Sequence, residues 1–317
     1  MPTGVGHSLI LLTVTGKQRR QIGESPSHSK TFMTKPELPT DLSDNVRRAL
    51  AEDIGDGDLT AQLIGAETQA RGNVVSREAA VLCGCEWFTE VFRQLDPQIR
   101  IQWTAQDGDS IQPDQTLCHL EGRARPLLTG ERTALNFLQT LSATATAAHA
   151  YAHAVDGTGT TILDTRKTLP GLRSAQKYAV RCGGARNHRM GLYDGILIKE
   201  NHIMAAGGIR AAVDAARGLT PSVPVEVEVE TLAEVQEALT AGADSLLLDN
   251  FTLEQLREAV RLSAGRAKLE ASGGIDMPQL RAIAETGVDY ISVGSLTKHV
   301  RAVDLSMRFE LGDSTGL

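Results

Sequence analysis

From Thr161 to Gly294 the chain repeats one order six times, a short apolar strand followed by a helix. The strands are expected near Thr161–Asp164, Gly195–Lys199, Pro224–Glu230, Ser245–Asp249, Lys268–Ser272 and Asp289–Gly294. Two of the intervening helices open with the capping boxes Thr231/Glu234 and Thr252/Gln255 and stop at Gly242 and Gly265. The hydroxyl and its partner satisfy the orphan amides of a first turn, and glycine accepts the left-handed conformation that ends a helix. Strands separated by helices at this spacing run parallel, and six of them closing on themselves make an α/β barrel. A doubly wound open sheet is the alternative.

The sequence before this repeat has another character. Leu42, Val46, Leu50 and Ile54 recur every four positions and predict an amphipathic helix from Asp41 to Ile54, stopped by Gly55. A β-rich stretch from Gly72 to Gly84, a helix bearing Trp87, Val91 and Leu95 on one face, and strict alternation from Gln98 to Trp103 follow. Short strands with tight turns are expected between Gly108 and Gly122, then a long Ala-rich helix from about Thr129 to Val155. At 317 residues the chain exceeds the usual size of one domain. We therefore expect an α/β sandwich domain over 37–143 and a barrel domain over 144–317, with the last helix packing back on the first domain. Residues 1–36 are expected to be a disordered extension. Their apolar stretch, Leu9 to Val14, precedes Lys17, Arg19 and Arg20, the reverse of a signal peptide. A translation start at Met33 is expected, because patterned sequence begins only after it.

Composition narrows the function. No run reaches the length of a membrane span, and a net charge of -7 argues against non-specific nucleic-acid binding. Cys83, Cys85, Cys118 and Cys182 lack the paired spacing with nearby His of a zinc site, which fits a reduced cytoplasmic protein. Against that negative balance, the stretch Thr165 to Asp194 reaches its first acid only at Asp194, after Arg166, Lys167, Arg173, Lys177, Arg181, Arg186 and Arg189. Lys177 and Arg181, at helical spacing, are expected to form a solvated face. Arg166, Lys167, His188 and Arg189 lie in turns, where cations can converge on an anionic ligand.

Each barrel strand ends in polar residues or glycine, at the mouth where barrel catalytic groups collect: Asp164-Thr165-Arg166-Lys167, Lys199-Glu200-Asn201-His202, Glu228, Asp249-Asn250, Ser272-Gly273-Gly274 and Gly294-Ser295. The two glycine turns on the last strands would offer bare amides at helix N-termini to a phosphate. Glu226, Glu228 and Glu230 alternate on one face of their strand, as half-solvated acids or as groups pointing into the mouth. In the second case Glu228 and Asp249 face the phosphate site and suggest Mg²⁺. The acidic run Glu52–Asp58 reads as a helix-ending turn, since it lacks the ligand spacing of a calcium loop.

Taken together, Asp164-Thr165-Arg166-Lys167-Thr168, Pro170-Gly171-Leu172-Arg173, Lys177-Tyr178-Ala179-Val180, Asn187-His188-Arg189 and Leu197-Ile198-Lys199-Glu200-Asn201-His202 resemble the signature of the quinolinate phosphoribosyltransferases. So do Glu52-Asp53 with Gly57-Asp58-Leu59-Thr60, Glu131-Arg132-Thr133-Ala134-Leu135-Asn136, Glu226-Val227-Glu228-Val229, Leu248-Asp249-Asn250 and Ser272-Gly273-Gly274, in one order from about residue 37 to the end. The resemblance implies an N-terminal α/β sandwich domain with an open α/β barrel of seven-stranded type. It also implies a homodimer, or a hexamer, with active sites shared between subunits. Carried over by position, Arg132 of the neighbouring subunit joins Arg166, His188 and Arg189 around the two carboxylates of quinolinate. Thr165, Lys167 and Lys199 line the pocket for phosphoribosyl pyrophosphate, Glu228 and Asp249 hold ribose hydroxyls and Mg²⁺, and Ser272, Gly273, Gly274 and Gly294 hold the 5′-phosphate. The catalytic candidates are Lys167, Lys199, Glu228 and Asp249. Two positions depart from the family pattern: Ala185 follows Gly183-Gly184 where a third glycine is common, and Ser295 stands where Ala is usual.

Three rival readings use the same residues. A phosphoribosyltransferase for nicotinate or a related ring needs about one Arg fork for its single carboxylate, fewer cations than are present. A barrel aldolase would use Lys199 as an imine-forming amine, leaving Glu228 and Asp249 without a task. A carrier-like binding module would use the Gly108–Gly122 hairpin, whose turn has no lysine for a prosthetic arm.

Overall fold

A computed structural model describes residues 36–219 and 222–311. The expected extension before Pro36 and the start at Met33 lie outside the described residues.

The first helix, α1 (Leu42–Ile54), buries Val46 and Leu50 and stops at Gly55, whose φ is 51°. The acidic run after it is a turn: Asp58 accepts the Ala61 amide at 2.9 Å and the Thr129 hydroxyl at 2.8 Å. Next come β1 (Gln69–Ser76), β2 (Ala80–Val81), α2 (Cys85–Leu95), β3 (Arg100–Trp103), β4 (Ser110–Ile111) and β5 (Thr116–Arg123). Helix α2 buries Trp87 and Val91 of the expected face, with Phe88 and Phe92 beside them, while Leu95 is half-buried against the same core. The long helix α3 (Ala124–Ala154) starts five residues before the expected Thr129. Pro126 falls in its first turn, where an amide would lack an intrahelical partner anyway, so proline does not block the start.

The barrel half supplies β6 (Thr161–Leu163), α4 (Arg173–Cys182), β7 (Ile196–Ile198), α5 (Glu200–Ala206), α6 (Ile209–Leu219), β8 (Val225–Val229), α7 (Leu232–Ala241), β9 (Ser245–Asp249) and α8 (Leu253–Ser263). It continues through β10 (Lys268–Ser272), α9 (Leu280–Ala284), β11 (Tyr290–Ser292) and α10 (Ser295–Lys298). Both capping boxes and the left-handed Gly242 stand as expected, while at the end of α8 the left-handed cap is Ala264, one residue before Gly265. The six strands pair in parallel in the order β6-β11-β10-β9-β8-β7. The first strand lies beside the last and the order then runs down without reversal, which is a barrel order and not that of a doubly wound sheet. The sheet remains open between β6 and β7, and a single parallel bridge from Arg186 to Leu163 flanks β6 on its free side.

One expectation is corrected. The last described element is not a helix but the strand β12 (Leu305–Leu311), which pairs antiparallel along β1 from Ser76↔Leu305 to Ala70↔Leu311. Leu305, Met307 and Phe309 alternate with Ser306, Arg308 and Glu310, a period of two that no amphipathic helix shows. The chain end thus completes the N-terminal sheet, of order β12-β1-β5-β3. Helix α3 serves both cores, with Leu135, Leu138 and Leu141 in the N-terminal one and Ala148 in the barrel one.

Candidate active site

The alternation of each barrel strand decides which side chains can reach the mouth. Val225, Val227 and Val229 of β8 pack outward into the barrel core, so Glu226 and Glu228 face the opposite side. The same holds for Glu270 and Ser272 against Leu269 and Ala271 of β10, and for Leu247 and Asp249 against Leu246 and Leu248 of β9.

At the mouth two zones differ in charge. On β7 and β8, Lys199 pairs with Glu228, the lysine half exposed and the acid largely covered. Asp249 ends the next strand, accepting the Asn250 amide at 2.8 Å. Asn250 sits at a left-handed φ of 57°, and its amide group lies where a Cβ on Gly273 would be. Only glycine, with φ at +103°, lets the β10 turn come this close to the β9 end.

The turn after β6 lies beside the turn after β11. Thr165 accepts the Lys167 amide at 3.1 Å, Lys167 accepts the Thr297 hydroxyl at 2.9 Å, and a Cβ on Gly294 would stand 3.0 Å from Lys167 Cδ. Lys167 therefore lies across Gly294, from which α10 begins. The other expected helix N-terminus is corrected: after β10 the next helical turn starts at Met277, and Asp276 already caps it. Any phosphate on that side would meet the turn amides of Gly273 and Gly274, both at positive φ, and not a helix end.

The cationic zone is built from the Asn187–Arg189 turn. Burial and then the adjacent Arg166 charge press the Arg189 guanidinium below its ordinary value. Arg166 Nε is buried without a partner, while Arg189 Nη1 donates to the Gly195 carbonyl at 3.0 Å. Crowded guanidiniums with an orphaned donor are a site waiting for an anion. Arg173 braces it, reaching the Thr168 hydroxyl at 3.1 Å and the Met190 carbonyl at 3.2 Å.

Beneath this zone lies a buried network. Lys177 was expected on a solvated face, yet its side chain is 1% exposed and donates to Asp164 at 2.5 Å and to the His188 carbonyl at 2.8 Å. The helical spacing is real, but that face of α4 turns into the barrel, where only a salt bridge makes a lysine tolerable. Burial pushes Asp164 up and Lys177 down, and their mutual attraction offsets this only in part. Arg181 is not free in solvent either, since it donates to the Glu37 carbonyl at 2.9 Å. Asp164 also accepts from Asn187 at 2.6 Å and from the His188 amide at 2.9 Å. His188 Nε2 lies 2.9 Å from Glu226 and 3.4 Å from Glu270. Burial works against the charge of His188, but the Glu226 hydrogen bond and the charges of Glu270 and Glu226 outweigh it and raise its pKa. Burial, then the Glu226 charge, pushes Glu270 up to about 7.

Asp164, Asn187, Glu226 and Glu270 are thus parts of the site architecture absent from the sequence-based set. Asp164 was visible as a strand-end polar group, Glu226 as one of three alternating acids and Asn187 within the family signature, whereas Glu270 gave no signal of its own. Arg132 stands apart, exposed on α3 above a groove of ≈ 560 Å³ shared with Asp53, Gly57, Asp58 and Thr129, on the N-terminal domain and away from the barrel mouth. Of the two departures, Ala185 is buried in the barrel core without needing a positive φ, and Ser295 lies 3.4 Å from the Tyr151 hydroxyl. The ion-paired Lys199 is a poor candidate for an imine-forming amine, which counts against the aldolase reading.

Fold and site define a two-domain, open-barrel protein with a zone of crowded guanidinium groups at its mouth. The chain belongs to the quinolinate phosphoribosyl transferase family, whose N-terminal domain matches residues 58–142 and whose C-terminal domain matches residues 144–308. It is 42% identical over 265 residues to the probable nicotinate-nucleotide pyrophosphorylase [carboxylating] of Bacillus subtilis, covering 83% of this chain and 92% of that one. It is 36% identical to the quinolinate phosphoribosyltransferase [decarboxylating] 1b of Nicotiana tabacum, covering 89% and 86%. The structure of the nicotinate-nucleotide pyrophosphorylase from Francisella tularensis superimposes with a TM-score of 0.84 at 47% identity, covering 86% of this chain and 98% of that one.

Proposed function

We propose that this protein transfers the phosphoribosyl group of phosphoribosyl pyrophosphate to quinolinate with decarboxylation, giving nicotinate mononucleotide, CO₂ and pyrophosphate for NAD biosynthesis. The names of its relatives support the reaction, and the observation that carries it is the partnerless, buried Arg166 Nε beside the crowded Arg189. A base with two adjacent carboxylates suits two or more guanidinium forks, each charge-assisted bond contributing about 1.5–3 kcal/mol. A base with one carboxylate would leave part of that charge unanswered.

In this reading Arg166 and Arg189 hold the dicarboxylate, with Arg132 added from a second subunit of a homodimer. The exposure of Arg132 away from the mouth supports that arrangement. Glu228 and Asp249 face the ribose, and their placement on neighbouring strands at the mouth fits Mg²⁺, which takes one or two carboxylates and completes its shell with phosphate oxygens and water. When bound, Mg²⁺ would neutralise the departing pyrophosphate. Lys167 and Lys199 add positive charge near the leaving group, and the turns at Ser272, Gly273, Gly274 and Gly294 receive the 5′-phosphate. The pyridine nitrogen attacks the anomeric carbon as its bond to pyrophosphate breaks, while the carboxylates of Glu228 and Asp249 stabilise the positive charge that develops on the ribose. The cationic ring nitrogen stabilises the electron pair left on the neighbouring ring carbon when its carboxylate departs as CO₂, and that pair takes up a proton from solvent. The four cysteines, not joined in disulfides, support a reducing cytoplasmic setting. Incubation with quinolinate, phosphoribosyl pyrophosphate and Mg²⁺, with nicotinate in parallel, tests the reading. Nicotinate mononucleotide formed from quinolinate supports it, and product from nicotinate alone would replace it.

A further inference from the structure

Away from the mouth, one cluster of reactive side chains has no part in the proposed reaction. Cys83, Asp107 and Cys182 bring two sulfurs and a carboxylate oxygen within 4.8 Å of one another. Cys83 follows β2 and is fully buried, whereas Cys182 ends α4 and is partly open to solvent. Both are fixed against one support, helix α3. The Ser142 hydroxyl accepts the Cys83 amide at 2.9 Å and donates to the Cys83 carbonyl at 3.1 Å. Next to Cys182, Gly183 lies so close to α3 that a Cβ there would stand 2.3 Å from the Ala145 carbonyl oxygen. The carboxylate is already engaged: Asp107 accepts the Gly84 amide at 2.9 Å, the Cys85 amide at 3.0 Å and the Tyr178 hydroxyl at 2.8 Å. A structural zinc here would need a fourth ligand and both thiols stripped of their protons beside that acid. Two thiols held together at this spacing suit another chemistry.

We propose that Cys83 and Cys182 are a redox pair, which hydrogen peroxide closes into a reversible disulfide that staples the N-terminal domain to α4 of the barrel. Cys182 reacts first, because it is the thiol within reach of solvent. Burial, the hydrogen bond with Cys182 and the Asp107 charge keep the Cys83 thiol protonated. The Cys182 sulfur attacks one peroxide oxygen, the O–O bond breaks, and water leaves with the thiol proton, giving a sulfenic acid. The Cys83 sulfur then attacks the sulfenic sulfur, the S–O bond breaks, and a second water carries away the Cys83 proton. The two thiols lose two electrons and the peroxide gains them. The sulfurs must close from within 4.8 Å to about 2 Å, which rotation about the two Cα–Cβ bonds supplies. The bond closes a loop of about a hundred residues and so restricts the unfolded chain. It also spares Cys182 the further step to a sulfinic acid, which no thiol reverses. A sulfinate there would set a second negative charge against Asp107, at the end of the helix that carries Lys177.

Peptide mapping by mass spectrometry and thermal unfolding of the full chain, before and after excess hydrogen peroxide, test the pair in the wild type, Cys83→Ala, Cys85→Ala and Cys182→Ala. In the wild type and in Cys85→Ala, tryptic peptides 78–93 and 182–186 should appear joined, about 2 Da below the sum of their thiol forms, and come apart with dithiothreitol. The wild-type Tm should rise by about 5 °C on oxidation and return on reduction. In Cys83→Ala, Cys182 lacks its partner and should advance to the sulfinic acid, a gain of about 32 Da. If Cys83→Ala does not fold, Cys182→Ala carries the test: no joined peptides should form and its Tm should not rise with peroxide. Cys182 reaching the sulfinic acid in the wild type while Cys83 stays a thiol, a link through Cys85, or both thiols surviving the peroxide would overturn the proposal. So would about one zinc ion per chain that Cys182→Ala loses. Neither readout uses turnover, so the result is separate from that of the phosphoribosyl transfer assay.

Discussion

Asp164 and Lys177 show how one buried pair supports the chemistry without touching a substrate. Lys177 links the Asp164 carboxylate to the carbonyl of His188, so the pair fixes both ends of the peptide that carries the ring. Removing one partner strands a buried charge, and Lys177→Met should cost about 3–5 kcal/mol in denaturant unfolding. The double change Asp164→Asn with Lys177→Met should cost less than the single one, because no uncompensated charge remains. Glu270 makes a pH prediction. Its folded pKa of about 7 lies above the ordinary 4.5, so the folded state holds a proton that the unfolded chain has released. Its contribution to stability is full below about pH 4.5 and is lost as pH rises through about 7. The raised pKa of His188 acts with the same sign, its contribution fading as pH rises past its folded value. Unfolding free energies measured at pH 5 and pH 8 should therefore fall with pH in the wild type and fall less in Glu270→Gln.

Among the elements, β12 and the glycine turn after β10 most constrain the site. Strand β12 covers the edge of β1 and places Met307 in the N-terminal core opposite Val74. Met307→Ala should destabilise by about 2–5 kcal/mol, read as a lower urea midpoint with an unchanged slope. At Gly273 a Cβ would meet the Asn250 side chain and strain a φ of +103°, so Gly273→Ala should displace the β10 turn and raise the phosphoribosyl pyrophosphate KM more than the quinolinate KM. The central strands were readable to the residue: Ser245–Asp249 and Lys268–Ser272 appear with the bounds their apolar alternation and turn residues set. The alternation in β12 was there to be read as a strand, but its pairing with β1, more than two hundred residues away, has no local signal. The mouth residues were legible as strand-end polar groups, whereas the interior charges were not. The spacing of Lys177 says which face of α4 it occupies, but not that this face turns inward on Asp164.

Across the whole molecule, the mouth of one chain holds the Arg166–Arg189 zone and the Glu228–Asp249 zone, but Arg132 lies elsewhere on the N-terminal domain. If a second copy supplies Arg132, then Arg132→Ala and Glu228→Ala proteins, each inactive alone, should recover about a quarter of wild-type activity when mixed and allowed to exchange subunits. Half of the randomly formed dimers would then carry one intact site of their two. No recovery despite demonstrated exchange would place Arg132 outside the active site. Helix α3 carries the exposed Arg132, packs Leu135, Leu138 and Leu141 into one core and reaches the barrel core with Ala148, so the two domains share one element. The central claim is that phosphoribosyl transfer and decarboxylation occur on one bound dicarboxylate. It is tested most directly by counting CO₂ and pyrophosphate released from quinolinate labelled in the carboxylate next to the ring nitrogen. One labelled CO₂ for each pyrophosphate is the predicted result; pyrophosphate released without labelled CO₂ would contradict the account.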